Sequence, residues 1–159
     1  MKRILNISIV LFATLNSCKP LTGADALINQ KASLPESFRL SELHQKVITS
    51  FINNRKHTTS ILYGNKVVHS ILGADRANGN SGESFTLVTW QQQDDAHWFG
   101  ARIPGDLISA ETLTVADSNS QTIYHYQKFK GKELTKLADT TGNADRVRFI
   151  LSKKASIMP

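Results

Sequence analysis

The sequence predicts an α+β fold, a curled antiparallel β-sheet packed with one long amphipathic helix and a short helix. Two observations carry this. Leu40, Leu43, Val47, Ile48, Phe51 and Ile52 fall at i, i+3, i+7, i+8, i+11 and i+12, one apolar stripe of a 3.6-residue period. Between Ser84 and Phe129, four β-rich runs recur about every 12 residues with polar turns between them, the spacing of an antiparallel meander. A sheet with one apolar face must bury it against something, and the long helix is the expected cover.

From the N-terminus, the chain divides into a signal peptide (1–17), a lipidated tether (18–34) and a single domain (35–159). Lys2 and Arg3 precede the apolar run Ile4 to Leu15, and the small Ser17 precedes Cys18. That is the order of charge, apolar core and small residue in an export signal, and the run is shorter than the about 20 apolar residues a membrane-spanning helix needs. Leu15, Ser17 and Cys18 stand at −3, −1 and +1 of a lipobox, so Cys18 is expected to carry the acyl chains. Lys19 follows it, the pattern of Gram-negative lipoproteins sent on to the outer membrane. The expected location is therefore the periplasmic side of a Gram-negative cell envelope, with the membrane as partner through Cys18. Lys19-Pro20, Thr22-Gly23 and Ser33 to Pro35 punctuate the tether, and no period persists through it.

The long helix is expected over 36–56. Pro35 and Glu36 suit its first turn and Lys56-His57 its last, each matching the helix dipole, while His44 sits at the edge of its apolar stripe. Thr58 to Tyr63 is short and β-branched, and Gly64-Asn65 interrupts it. Lys66 to Leu72 reads as the short helix, closed by Gly73, and Ala74 to Glu83 as a loop around Asn78-Gly79-Asn80-Ser81-Gly82. The four strands are Ser84 to Gln91, His97 to Ile103, Ser109 to Ala116 and Thr122 to Phe129. In the first, Thr86, Val88 and Trp90 share one face and Phe85, Leu87 and Thr89 the other. Arg146 to Leu151 reads as a last strand or a docking helix.

Cys18 is the only cysteine among the 159 residues. One thiol excludes an internal disulfide, a Cys-x-x-Cys redox pair and a four-thiolate zinc site. The formal net charge of +6 falls by two once Lys2 and Arg3 leave with the signal, and the remaining excess is spread along the chain. The densest run, Lys128 to Lys136, lacks the interleaved aromatics of a nucleic-acid groove, so no nucleic acid is expected. His44, His57, His69, His97 and His125 show no metal-binding spacing, and no nucleophile elbow, P-loop or dinucleotide fingerprint occurs. Asp94-Asp95 reads as a solvated turn. No catalytic residue and no metal ligand is nominated.

The segment from Trp90 to Arg102 concentrates two tryptophans, a histidine, an acidic pair and an arginine. An aromatic hairpin of this kind offers an apolar wall with polar tips, suited to a flat or apolar small ligand. The candidate ligand-lining residues are Trp90, His97, Trp98, Phe99 and Arg102, joined by His125 if it converges with His97 across the sheet.

The run Trp98-Phe99-Gly100-Ala101-Arg102-Ile103-Pro104, preceded by Leu62-Tyr63-Gly64-Asn65, resembles the cytochrome P-460 family and its relatives among Gram-negative exported proteins. The resemblance spans about Leu62 to Val115 and implies a mainly antiparallel sheet with helices. Haem-bearing members attach haem through a Cys-x-x-Cys-His motif near the C-terminus. This chain has no cysteine or histidine after His125, so covalent c-type haem is excluded and the family's redox chemistry is not carried over. A lysine cross-link to haem has no motif to choose among Lys128, Lys130, Lys132 and Lys136. The sequence thus points to a lipid-anchored periplasmic binding or accessory domain without covalent haem. The alternatives are a non-covalent haem protein working in redox chemistry or gas sensing through His97 or His125, and a structural lipoprotein that contacts another envelope protein.

Overall fold

The computed structural model describes residues 28–70, 79–138 and 141–156. The expected signal peptide and Cys18 lie outside the described residues, as do most of the tether, Ile71 to Gly73 and the start of the Ala74 to Glu83 loop. All the elements below belong to the unit Lys31–Pro159.

Among the described residues the chain forms a six-stranded antiparallel sheet in simple sequence order. The strands are β1 (Lys46–Asn53), β2 (Thr58–Gly64), β3 (Ser84–Asp94), β4 (Arg102–Ser118), β5 (Gln121–Lys130) and β6 (Thr135–Lys136). A short helix α1 (Lys66–Ser70) follows β2, and α2 (Asn143–Leu151) follows β6. Asn65 starts α1, its side-chain oxygen accepting from the Val68 amide at 3.2 Å.

The long amphipathic helix expected over 36–56 is not there, and the sheet is not covered in the expected way. The segment holds a single 3-10 turn, Leu40–Leu43, and then β1. His44 ends the turn in the left-handed region at φ 50°, which no continuing α-helix passes through. Leu43 is 40% exposed, and Val47 and Ile52 are more exposed still, so the supposed stripe is not one buried face. What imitated a helical period is a β-bulge. Thr49 pairs with Leu62 and Val47 with Tyr63, leaving Ile48 as the extra residue. That insertion turns a strand's spacing of two into three, so Ile48 and Phe51 pack against the same core cluster. The β-branched Val47, Ile48, Thr49 and Ile52 favour the strand once a partner is present. His57, expected to close the helix, instead sits at φ 50° in the β1–β2 turn, where the Lys56 amide donates to Asn53 Oδ1 at 3.0 Å.

One further expectation changes in detail, and the C-terminal run takes one of its two expected forms. His97 to Ile103 is mostly the β3–β4 connection, and β4 begins at Arg102 and runs without a break through Ser109 to Ala116. Pro104-Gly105 does not end a strand. It lies where the β3–β4 register shifts opposite Trp90 to Gln92, a place in a sheet that tolerates proline. A Cβ on Gly105 would stand 3.1 Å from the Gln91 carbonyl oxygen. Arg146 to Leu151 is a docking helix, contained in α2.

The sheet has two covered faces. On one, Ile48, Leu62, Phe85, Leu87, Leu113 and Val115 pack with Val68 of α1 and with Val147, Ile150 and Leu151 of α2. A Cβ on Gly64 would lie 2.5 Å from Ile48 Cδ1 and 2.9 Å from Val68 Cγ1, so the close approach of α1 there favours glycine. On the other face, Val88, Trp90, Leu107, Ala110 and Leu134 pack with Ala32, Leu34 and Phe38 from the segment before β1. Phe38 meets Phe129 edge to face, with ring centroids 5.8 Å apart.

This packing separates the strand from the helical stripe in a stability measurement. Leu62→Ala, which empties a fully buried site, is expected to destabilise by about 2–5 kcal/mol. Leu43→Ala is expected to cost about 0.5 kcal/mol or less. Chemical denaturation of both variants checks this, and equal losses would contradict the strand assignment.

Candidate functional site

On the α2 side, successive cross-strand rows change from apolar to polar. Gly64, Phe85, Leu113 and Tyr126 stand opposite one another in adjacent strands, and the next row is Leu62, Leu87, Glu111 and Lys128. Beyond it come Phe51, Ser60, Thr89 and Ser109, and then Asn53, Thr58 and Gln91. With its nine residues, α2 packs on the apolar rows and stops short of the polar ones. The uncovered part is an open cleft of about 490 Å³ whose floor is Thr58, Ser60, Thr89 and Ser109. Phe51 and Phe149 wall it, with ring centroids 5.7 Å apart, and Lys56, Lys128 and Arg146 also line it.

At the junction of core and cleft lies Glu111, 2% exposed on β4. Arg146 of α2 grips it with two bonds, Nη2 to Oε1 at 2.8 Å and Nε to Oε2 at 2.9 Å. The Tyr126 hydroxyl donates to Oε2 at 2.6 Å. A buried carboxylate is tolerable only when its lone pairs are met in this way. Burial, followed by the hydrogen bond and charge of Glu111, pushes the Tyr126 phenol far above its ordinary value. Burial alone would lower the pKa of the Arg146 guanidinium, but the Glu111 bonds and charge outweigh it and the net shift is upward. At neutral pH Tyr126 is therefore a neutral phenol donor and Arg146 a cation. The Arg146 guanidinium also stacks 4.6 Å from the Phe149 ring centroid, and Lys153 Nζ lies 4.0 Å from the same ring.

The floor is built from hydroxyls. Ser60 and Thr89 bond each other at 2.9 Å. Ser109 is 5% exposed, and its hydroxyl has no hydrogen-bond partner among the described residues. Neither the Lys56 nor the Lys128 ammonium has an ion-pair partner among the described residues. The cleft can thus offer hydroxyl donors and acceptors beside uncommitted positive charge.

The residues nominated from the sequence lie elsewhere and do not form one wall. Trp90 is buried on the opposite face, where its indole N–H donates to the Ala32 carbonyl at 2.8 Å. His97, Trp98 and Phe99 stand at the tip of the β3–β4 connection, where Asp95 Oδ1 accepts the His97 amide at 2.7 Å. Trp98 is 72% exposed and Phe99 fully so. Arg102 reaches His57 Nδ1 at 3.1 Å and Asp94 at 3.5 Å, and lines a shallow depression with Ile52 and Gln92. His125 is exposed opposite Thr114, which pairs with Ser84 at the start of β3, whereas His97 lies beyond its end. The two histidines are therefore at opposite ends of the sheet. Among the described residues no three of His, Cys, Asp and Glu gather as a metal site.

Sequence reasoning missed the cleft, although a signal was present. Thr89 and Gln91 continue the phase of Phe85 and Leu87, so the inward face of β3 turns polar partway along. No family model matches the chain, and no curated protein matches it.

Two measurements test the Glu111 cluster. Arg146→Met, which strands the buried carboxylate, is expected to destabilise by about 3 kcal/mol, and the double variant Glu111→Leu/Arg146→Met by clearly less. Denaturant unfolding of the set checks it, and additive losses would contradict the pairing. A phenol whose pKa is raised by folding holds its proton more tightly in the folded state. Its stabilisation is complete below the ordinary value of 10.0 and is lost as pH rises above that. Stability is therefore expected to fall more steeply above about pH 10 in the wild type than in Tyr126→Phe. The Tyr63 phenol, raised by burial, contributes equally in both.

Proposed function

We propose that this protein is a lipid-anchored envelope protein of a Gram-negative bacterium, held through Cys18, whose folded domain is a binding or accessory module. The observation that carries the reading is the polar cleft, where strands β1 to β5 and α2 converge on one open cavity with the Ser109 hydroxyl and the Lys56 and Lys128 ammonium groups unpartnered among the described residues. The Ser109 hydroxyl lines the cleft and is free to bond a small ligand seated there. The exported setting is supported by the Leu15 to Cys18 lipobox and by the motif resemblance to the cytochrome P-460 family, whose haem-attachment motif this chain lacks. Among the described residues no helix is long and apolar enough to cross a membrane.

Expression of the full chain in a Gram-negative host tests the anchoring. The wild type is expected to incorporate a palmitate analogue and to partition into detergent, and Cys18→Ser to incorporate none. Equal labelling of the two would overturn the anchoring.

A further inference from the structure

Resting on the reading of the cleft as a ligand seat, we infer that its ligand is a small hydroxylated molecule bearing an oxyanion, a sugar acid or a sugar phosphate in chemical class. Three observations converge. Ser60, Thr89 and Ser109 stand opposite one another across β2, β3 and β4, with the Ser60 and Thr89 hydroxyls bonded to each other at 2.9 Å and Ser109 beside them. Ser109 is buried yet keeps its hydroxyl unpartnered among the described residues, which leaves a donor and an acceptor directed to the cleft.

The charge around that row sets the sign of the ligand. Lys56, Lys128 and Arg146 line the cleft with Glu111 as the one carboxylate. Arg146 and Glu111 neutralise each other through two bonds, leaving the two ammonium groups to attract an anion. Lys128 lies in the row next to Ser109, while Lys56 sits at the open end beside Thr58. An anion drawn to Lys128 keeps its hydroxylated body over the serine–threonine row. Phe51 and Phe149 add an apolar wall of the kind on which the C–H face of a sugar ring packs. A neutral apolar ligand would bury the hydroxyls and both lysines without compensation, which is unfavourable.

Isothermal titration of the mature lipoprotein in detergent tests this, with sodium glucuronate, glucose 6-phosphate and glucose as probes. At least one charged sugar is expected to bind, with glucose about tenfold weaker or undetectable. Lys128→Met is expected to weaken the charged probe about tenfold and Ser109→Ala to weaken it measurably, whereas Lys132→Met, an equal charge change outside the cleft, leaves it unchanged. Whether the carboxylate or the phosphate binds more tightly identifies the oxyanion. If glucose binds as well as the charged probes and Ser109→Ala weakens it while Lys128→Met does not, the anionic class is overturned and the cleft remains a ligand seat. If no probe binds, or binding is the same in every cleft variant, both the class and the ligand seat are overturned.

Discussion

Glu111 stands in the same strand phase as Leu113 and Val115, positions that are core, yet it carries a charge. Its carboxylate is held by Arg146 from α2 and Tyr126 from β5, so the β4–β5 hairpin and a helix 35 positions on meet at one buried group. The grip fixes the position of α2 on the sheet. It also marks where the apolar packing of Val147, Ile150 and Leu151 ends and the polar cleft begins. A buried ion pair contributes little net stability compared with apolar packing, but breaking one partner is strongly unfavourable. Its effect is therefore on placement, since any other seat for α2 would leave Glu111 buried without its cation.

The cleft follows from a mismatch in length. The β3 and β4 strands are 11 and 17 residues long, whereas α2 spans nine. At about 1.5 Å per helical residue against about 3.3 Å per strand residue, the helix covers only part of the face. The remainder stays polar in its rows, and Phe51 and Phe149 close its sides. Among the described residues the other face is covered without a helix. The segment through Ala32, Leu34 and Phe38 covers Val88, Trp90 and Ala110, and the Trp90 indole is satisfied by a backbone carbonyl of that segment. Trp90 is thereby committed to holding the covering strap, which removes it from any ligand wall.

Much of the sheet was legible in local pattern. The alternation from Ser84 onward, the Asp117 to Ser120 turn and the strand Thr122 to Phe129 all appear at close to their expected places, because each depends on neighbouring residues and a period of two. The helix over 36–56 was misread because a bulge at Ile48 adds one residue to the strand and imitates a helical spacing. The β-branched residues there pointed the other way. The strands expected over His97 to Ile103 and Ser109 to Ala116 are one strand from Arg102 onward, with a register shift at Pro104-Gly105 that depends on what Trp90 to Gln92 do in the neighbouring strand. The aromatic hairpin was legible as a composition but not as a place: Trp90 points into one core, while Trp98 and Phe99 project from a turn.

By itself the sequence determined the alternation of β3, the place of β5 and the turn before it, the single thiol and the absence of a haem-attachment motif, since these are properties of residues and their spacing. The tertiary structure decided which apolar residues were core, because β1 acquires its face only by pairing with β2 and its register only through the bulge. It also decided that Glu111 and Arg146, 35 positions apart, neutralise each other while Lys56 and Lys128 do not find a partner among the described residues. Charge pairing depends on distances of a few ångströms in space, and the chain order carries no measure of those distances until the sheet is closed and α2 is seated.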